Sequence, residues 1–404
     1  MTAPFAPFRP LGQAATLAGV AALFCLGAAP AKGEDTYQRV FGPAIDWSVL
    51  ARLSESVQLD SNRRLNGDNE GIEAAGTVGL GVTVAGRGKR TRFSVATNLA
   101  LGRSTDNTVG NLDRLDPNIA ATAVFLGKGY SVNTSLNAQS RAVSVSELED
   151  TGVTNLNATR FDLSGSVGVS WNATKRDSLS LGASVQLVDF NRSIGTLSPS
   201  RTFGVNGGWS RQVSPTTSVS ASTSLSHFEA TGATGRTSRN ASIRLGIQHQ
   251  RTPRHNLGAS AGFSFVSSDR DNSPSTTQVG FVGGGTFGYR IDEFAATLNL
   301  NQSIQPSADG DLNAFTSLRG SLAYRVNALQ NLSFGVTYTR RSEISGGGDV
   351  LQFLSLGPSY SYSLSEDSSL SLGYQFRLRD DPTNDLEAGH QVMLTLSHQF
   401  DLLQ

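Results

Sequence analysis

Arginine is the residue type in this chain with the most to offer a solute. Arg52, Arg92, Arg160, Arg244, Arg290, Arg319, Arg325 and Arg377 each stand at an alternate position in a run rich in Ser, Thr, Asn, Gln and Gly. A guanidinium is charged at every physiological pH and presents several donors to a carboxylate or phosphate. Such groups arranged around water raise the local concentration of anions. The competing use is internal neutralisation, with Glu73 and Asp162 the main acids beside them. Either way the chemistry is electrostatic rather than bond-making.

Catalytic and metal chemistry find little support. His227, His249, His255, His390 and His398 are scattered, several of them at the ends of alternating segments, where an interfacial place suits them better than a catalytic one. No Ser-His-Asp order and no His/Glu metal spacing stands out. Asn133 and Asn137 read as wall residues. The single cysteine, Cys25, lies in an N-terminal apolar run, which leaves no thiol for a nucleophile or ligand if that run is removed. The chain is therefore read as a non-enzyme with no cofactor and no bound metal. Lys and Arg total 33 and Asp and Glu total 33, so a basic nucleic-acid surface is not indicated either.

What must position these arginines is a series of strands. The last, His390 to Phe400, sets the pattern: Val392, Leu394, Leu396, His398 and Phe400 on one face, Gln391, Met393, Thr395, Ser397 and Gln399 on the other. A period of two means strand. About eighteen such segments follow one another from Trp47 onward. Connections alternate between short (near 87–90, 127–129, 172–177, 213–217, 251–255, 291–293, 327–330 and 365–368) and long (60–70, 104–116, 142–158, 189–200, 229–239, 267–277, 304–311, 341–349 and 379–389). No fixed-length repeat of a solenoid is present. Each segment has one apolar and one wet face, and a closed sheet of them with the apolar face outward is a transmembrane barrel. The fold class expected is all-β, a transmembrane antiparallel β-barrel of about 18 strands, with 16 to 20 as the range.

Aromatic placement fits that register. Trp47, Tyr130, Trp171, Trp209, Tyr289, Tyr324, Tyr360 and Phe400 fall on the apolar face at the short-turn end, the place of an interfacial girdle on the periplasmic side. Lysines are confined to Lys32 and the turns, at Lys89, Lys128 and Lys175. Glu55, on the apolar face, is the misfit.

Residues 1–31 read as a secretory signal: Arg9, the apolar stretch Ala14 to Leu26, then Ala29-Pro30-Ala31. Residues 32–45 form a short periplasmic lead and 46–404 the barrel, placed in a bacterial outer membrane. Eighteen strands enclose water, so the role expected is a channel. Its partners are outer-membrane lipid and either a polysaccharide, with periplasmic export components, or a small anionic solute. A structural barrel with a closed lumen is the remaining alternative. Oligomeric state is not legible.

The segment SESVQLDSNRRLNGDNEGI, Ser54 to Ile72, resembles the opening strand and loop of the β-barrel porin-2-like outer-membrane proteins, with Asp60 and Asn62 at the matching positions. The match covers about twenty residues. It implies a barrel associated with exopolysaccharide production, and hence export of an anionic exopolysaccharide as the leading expectation, ahead of a general diffusion porin. The chain departs from the usual pattern in that Asp401-Leu402-Leu403-Gln404 follow the terminal aromatic, Phe400.

Overall fold

The structure, a computed structural model, describes residues 45–63, 65, 71–106, 110–146, 158–191, 197–230, 236–270, 273–306, 312–343, 350–381 and 384–403. The expected signal and all of the lead but Ile45 lie outside the described residues. The strands are β1 (Asp46–Asp60), β2 (Glu73–Arg87), β3 (Thr91–Asp106), β4 (Gly110–Leu126), β5 (Tyr130–Ala142), β6 (Thr159–Asn172), β7 (Asp177–Phe190), β8 (Ser200–Ser214) and β9 (Thr217–Ala230). The second half comprises β10 (Arg236–Thr252), β11 (His255–Arg270), β12 (Ser273–Arg290), β13 (Phe294–Pro306), β14 (Leu312–Arg325), β15 (Gln330–Glu343), β16 (Val350–Ser363), β17 (Ser368–Asp381) and β18 (Asn384–Leu403). A single helical turn, α1 (Val143–Ser146), follows β5.

Each strand pairs antiparallel with its sequence neighbours, and β18 pairs with β1, so the eighteen-stranded sheet closes without an edge. Closure gives every strand a partner on both sides from within the chain, which is what hydrocarbon demands of a spanning sheet. Apolar positions stay in register around the wall: Leu53 stands opposite Leu80 on β2, and Phe263 on β11 opposite Phe281 on β12. Leu80, Phe263 and Phe281 are exposed and Leu53 is half-buried. Leu245 is 65 % and Leu225 57 % accessible, whereas Asp60 and Arg379 are almost wholly buried. The usual core is inverted, with apolar rows facing out and polar groups facing in.

The short turns fall where the alternation places them. Gly129 adopts φ +80° in the β4–β5 turn, a backbone that a side chain strains, and the Gly127 N–H closes that turn on the Tyr130 carbonyl at 2.8 Å. The opposite side differs from expectation. Three segments read as long loops, 104–116, 267–277 and 379–389, are largely strand: Asp106 pairs with Gly110, Arg270 with Ser273 and Asp381 with Asn384. Strands run 13 to 20 residues. The ladder continues past the apolar belt because backbone pairing does not need an apolar side chain, only a partner strand.

Candidate functional site

The inner wall is built from hydroxyls and amides. Facing serines on adjacent strands bond across the ladder: Ser131 with Ser170 at 2.8 Å, Ser135 with Ser166 at 2.7 Å, Ser224 with Ser242 at 2.7 Å and Ser333 with Ser359 at 2.6 Å. Asn137 accepts from the Asn118 amide at 3.3 Å. Small polar residues leave room for solvent and keep the wall uncharged between the arginines.

Alternation puts all eight arginines on this inner face, but they do different things. Arg377 is buried and donates through Nη2 to Asp60 Oδ1 at 2.5 Å and Oδ2 at 2.6 Å. Arg160 donates to Asp162 at 2.8 Å, and Arg141 stands 3.9 Å from the same carboxylate. Arg52 donates to the Ser397 hydroxyl at 3.1 Å and meets no carboxylate. Arg92, Arg244, Arg290, Arg319 and Arg325 have no hydrogen-bonded or ion-paired side-chain partner among the described residues. Arg92, Arg290 and Arg325 lie at the short-turn rim, while Arg52, Arg244 and Arg319 lie within the barrel.

The acids are segregated from that set. Asp60, Glu73, Asp116, Asp162 and Glu387 are all on the inner face in the loop-side half, and Arg114 pairs with Asp116 at 2.5 Å. At the other end Asp46 and Asp401 occupy inward strand positions near the rim, and Asp292, Glu293, Glu366 and Asp367 lie in the short turns. The stretch between holds cations and no carboxylate.

Barrel closure sets a clasp at the loop-side end. β17, β18 and β1 are consecutive in the wall, so Arg377 reaches Asp60 although 317 residues separate them. The same Nη2 reaches the Asn62 carbonyl at 3.3 Å, and Arg379 Nη1 reaches that of Leu65 at 3.3 Å. Asn62 Nδ2 donates to the Ala388 carbonyl at 3.2 Å. Leu65 packs on Phe353, an inward residue of β16, and is fully buried. Burial and the neighbouring Arg114 push the Arg63 guanidinium below its ordinary pKa, with Glu73 and Asp60 opposing the shift. Residues 61–63 and 65 therefore turn into the lumen rather than away from it.

Two further inward contacts narrow the same end. The β12–β13 ladder stops at Gly283–Gln302, after which the end of β13 leans in. Ile304 then packs on Val266 and Val282, and its carbonyl accepts from Asn240 of β10 at 3.4 Å. Beside β7, α1 buries Val143 against Ala158 and Leu197, with Phe190 against the cluster. None of these three contacts figures in the sequence reading. The one signal for the first is Leu65, a lone apolar residue in a charged segment.

On the outer face, Tyr130 and Trp171 are directly opposed, and Trp209, Tyr324, Tyr360 and Phe400 are exposed at the same short-turn end. Trp47 is half-buried and meets Phe93 edge-on at 4.8 Å; Tyr289 is half-buried against His255 at 4.9 Å. All five histidines are outward. His249 bonds Thr217, His398 bonds Ser368 and His390 bonds the Tyr374 hydroxyl. Glu55 is outward and exposed between Val78 and Leu396. Among the described residues no three His, Cys, Asp or Glu cluster as metal ligands.

A closed sheet of an even number of antiparallel strands, apolar outside and polar within, is an outer-membrane barrel. No protein-family model matches this chain, and no curated protein sequence matches it. Solved structures that are similar include Pseudomonas aeruginosa OccK2 (OpdF), at 12 % identity over 89 % of this chain and 99 % of that one, with a TM-score of 0.49. The outer membrane protein opdK of the same organism gives 12 %, 88 %, 99 % and 0.46, and Acinetobacter baumannii OccAB2 gives 9 %, 88 %, 98 % and 0.45. Likeness at that level carries no functional argument. The resemblance to porin-2-like proteins rests on Asp60 and Asn62, and in this barrel both residues belong to the clasp.

Proposed function

We propose that the chain is a passive outer-membrane channel whose lumen favours small anionic solutes. The observation that carries this reading is the segregation of charge. Carboxylates sit at the two ends, and Arg52, Arg244 and Arg319 stand between them without one. A cation facing water inside a low-dielectric wall raises the anion concentration around it. The hydroxyl and amide lining supports passage of a hydrated solute without offering a dedicated tight site.

Export of an anionic exopolysaccharide, the leading expectation from the sequence, uses the same arginines. It also needs a wide loop-side exit and periplasmic partners. The inward contacts of Leu65 and Ile304 favour a small solute over a polymer, so the diffusion channel becomes the primary reading.

The test is reversal potential in planar bilayers under a KCl gradient with no partner protein added. Anion selectivity is expected, falling when Arg244→Gln and Arg319→Gln are combined. One unit charge about 4 Å from an anion in water contributes about 1 kcal/mol, a local enrichment of about fivefold per arginine. Selectivity is expected to weaken between 0.1 M and 1 M salt, as screening shortens from about 10 Å to about 3 Å. Cation selectivity, or a silent barrel, refutes the proposal.

A further inference from the structure

The outer wall is not uniformly convex. Across β7 to β12, near the loop-side end, it holds a groove of about 690 Å³. Its floor and sides come from Ala183, Val205, Leu225, Ala241 and Phe265. The register explains the hollow: Val205, Leu225, Ala241, Phe265 and Val279 form one row across β8 to β12, and the small Ala241 sits between two large neighbours. The next row toward the loops is Phe203, His227, Arg239, Ser267 and Thr277, so Arg239 and His227 stand side by side directly above the notch.

Arg239 is exposed and forms no ion pair among the described residues. Glu229 and Asp269 flank Thr237 one row nearer water, but Glu229 is engaged 3.5 Å from Arg201 and neither acid pairs with Arg239. A lone lipid-facing arginine is costly toward the membrane midplane and tolerable only near an interface, and one above an apolar hollow has an obvious class of partner.

We propose that this groove is a binding site for a membrane phospholipid of net negative headgroup charge. An acyl chain fills the hollow over Ala241, and the phosphate accepts hydrogen bonds from Arg239 and from His227. Charge complementarity selects the headgroup, and the notch selects an alkyl chain over a flat protein surface. The site lies on the outside of the barrel and is independent of what the lumen carries.

The test uses the whole barrel in detergent, titrated in parallel with phosphatidylglycerol and phosphatidylcholine and read by native mass spectrometry. A juxtamembrane arginine close to anionic lipid gives about a fivefold preference, and the wild type is expected to retain phosphatidylglycerol over phosphatidylcholine by about that factor. Arg239→Gln is expected to bring the ratio near one while total lipid retention persists. Ala241→Phe, which fills the notch, is expected to reduce retention of both lipids, and Ala241→Leu replaces it should the larger ring prevent folding. A preference that survives Arg239→Gln, retention that survives filling of the notch, or a wild type that retains neither lipid overturns the proposal. So does a wild-type dimer that Ala241→Phe or Ala241→Leu dissociates, because the groove would then be an interface between two copies of the chain.

Discussion

Asp60→Asn isolates the clasp. Asp60 is 2 % and Arg377 7 % exposed, so the change leaves a buried guanidinium facing a neutral amide. Breaking one side of a buried pair costs about 3–5 kcal/mol, because the surviving charge is uncompensated. Arg377 also holds the Asn62 carbonyl, and Asp60 Oδ1 accepts from the Asn62 N–H at 3.2 Å, so the loss falls on the segment after β1 rather than on the ladder. Local opening there is expected to become about 100-fold more frequent or greater, taking 1.4 kcal/mol per tenfold. Hydrogen exchange reads it directly, because the Ser61 N–H bonds to the His390 carbonyl at 2.9 Å and is protected only while the segment is seated. Single-channel recordings are expected to show added open-state noise as Leu65 leaves Phe353. Replacing both charges by apolar residues, Asp60→Leu with Arg377→Met, is expected to restore much of the protection, since such pairs often substitute at little cost. Exchange at Ser61 within about threefold of wild type in Asp60→Asn, against the 100-fold worked above, refutes the clasp.

Two further outcomes follow from close geometry. At Gly357 an added Cβ lies 1.9 Å from the Tyr374 carbonyl oxygen, a backbone atom that cannot swing aside, whereas at Gly335 nothing lies within 4 Å. Gly357→Ala is expected to depress the yield of folded, heat-modifiable barrel severely while Gly335→Ala leaves it unchanged; equal yields would contradict the β16–β17 approach. For the girdle, lipids brominated near the headgroup are expected to quench Trp171 and Trp209 fluorescence more than lipids brominated at the chain end, and the reverse order would displace the short-turn end from the interface.

The strand number was legible because a period of two survives any local error. A missed residue shifts a boundary but does not merge two hairpins. Loop lengths were less legible at 104–116, 267–277 and 379–389, where apolar alternation stops before the ladder does. Asp113 faces Arg103 and Arg379 faces Glu387 as paired backbone, and composition alone marks such polar stretches as loops. The partners of the arginines were not legible. Asp60 and Arg377 are distant in sequence and become neighbours only through closure of β18 on β1. Ile304 shows the limit of parity: its position in β13 assigns it to the outer face, yet release of the ladder beyond Gln302 lets that end lean inward.

These arginines divide into two kinds, and the division predicts different phenotypes. Arg377 and Arg160 sit against carboxylates, so an anion nearby sees a pair with little net field. Their loss changes seating and stability more than selectivity. Arg244 and Arg319 have no carboxylate partner, and each keeps its full charge toward the lumen. Removing either deletes field but no packing, because both are at least partly exposed to the water they face. Arg377→Gln is therefore expected to loosen the segment at Ser61 with reversal potential nearly unchanged, whereas Arg319→Gln is expected to shift reversal potential with exchange at Ser61 unchanged. Crossed results, with selectivity following Arg377 and loop protection following Arg319, would mean that solute passes along the clasp and that the mid-lumen cations are bystanders.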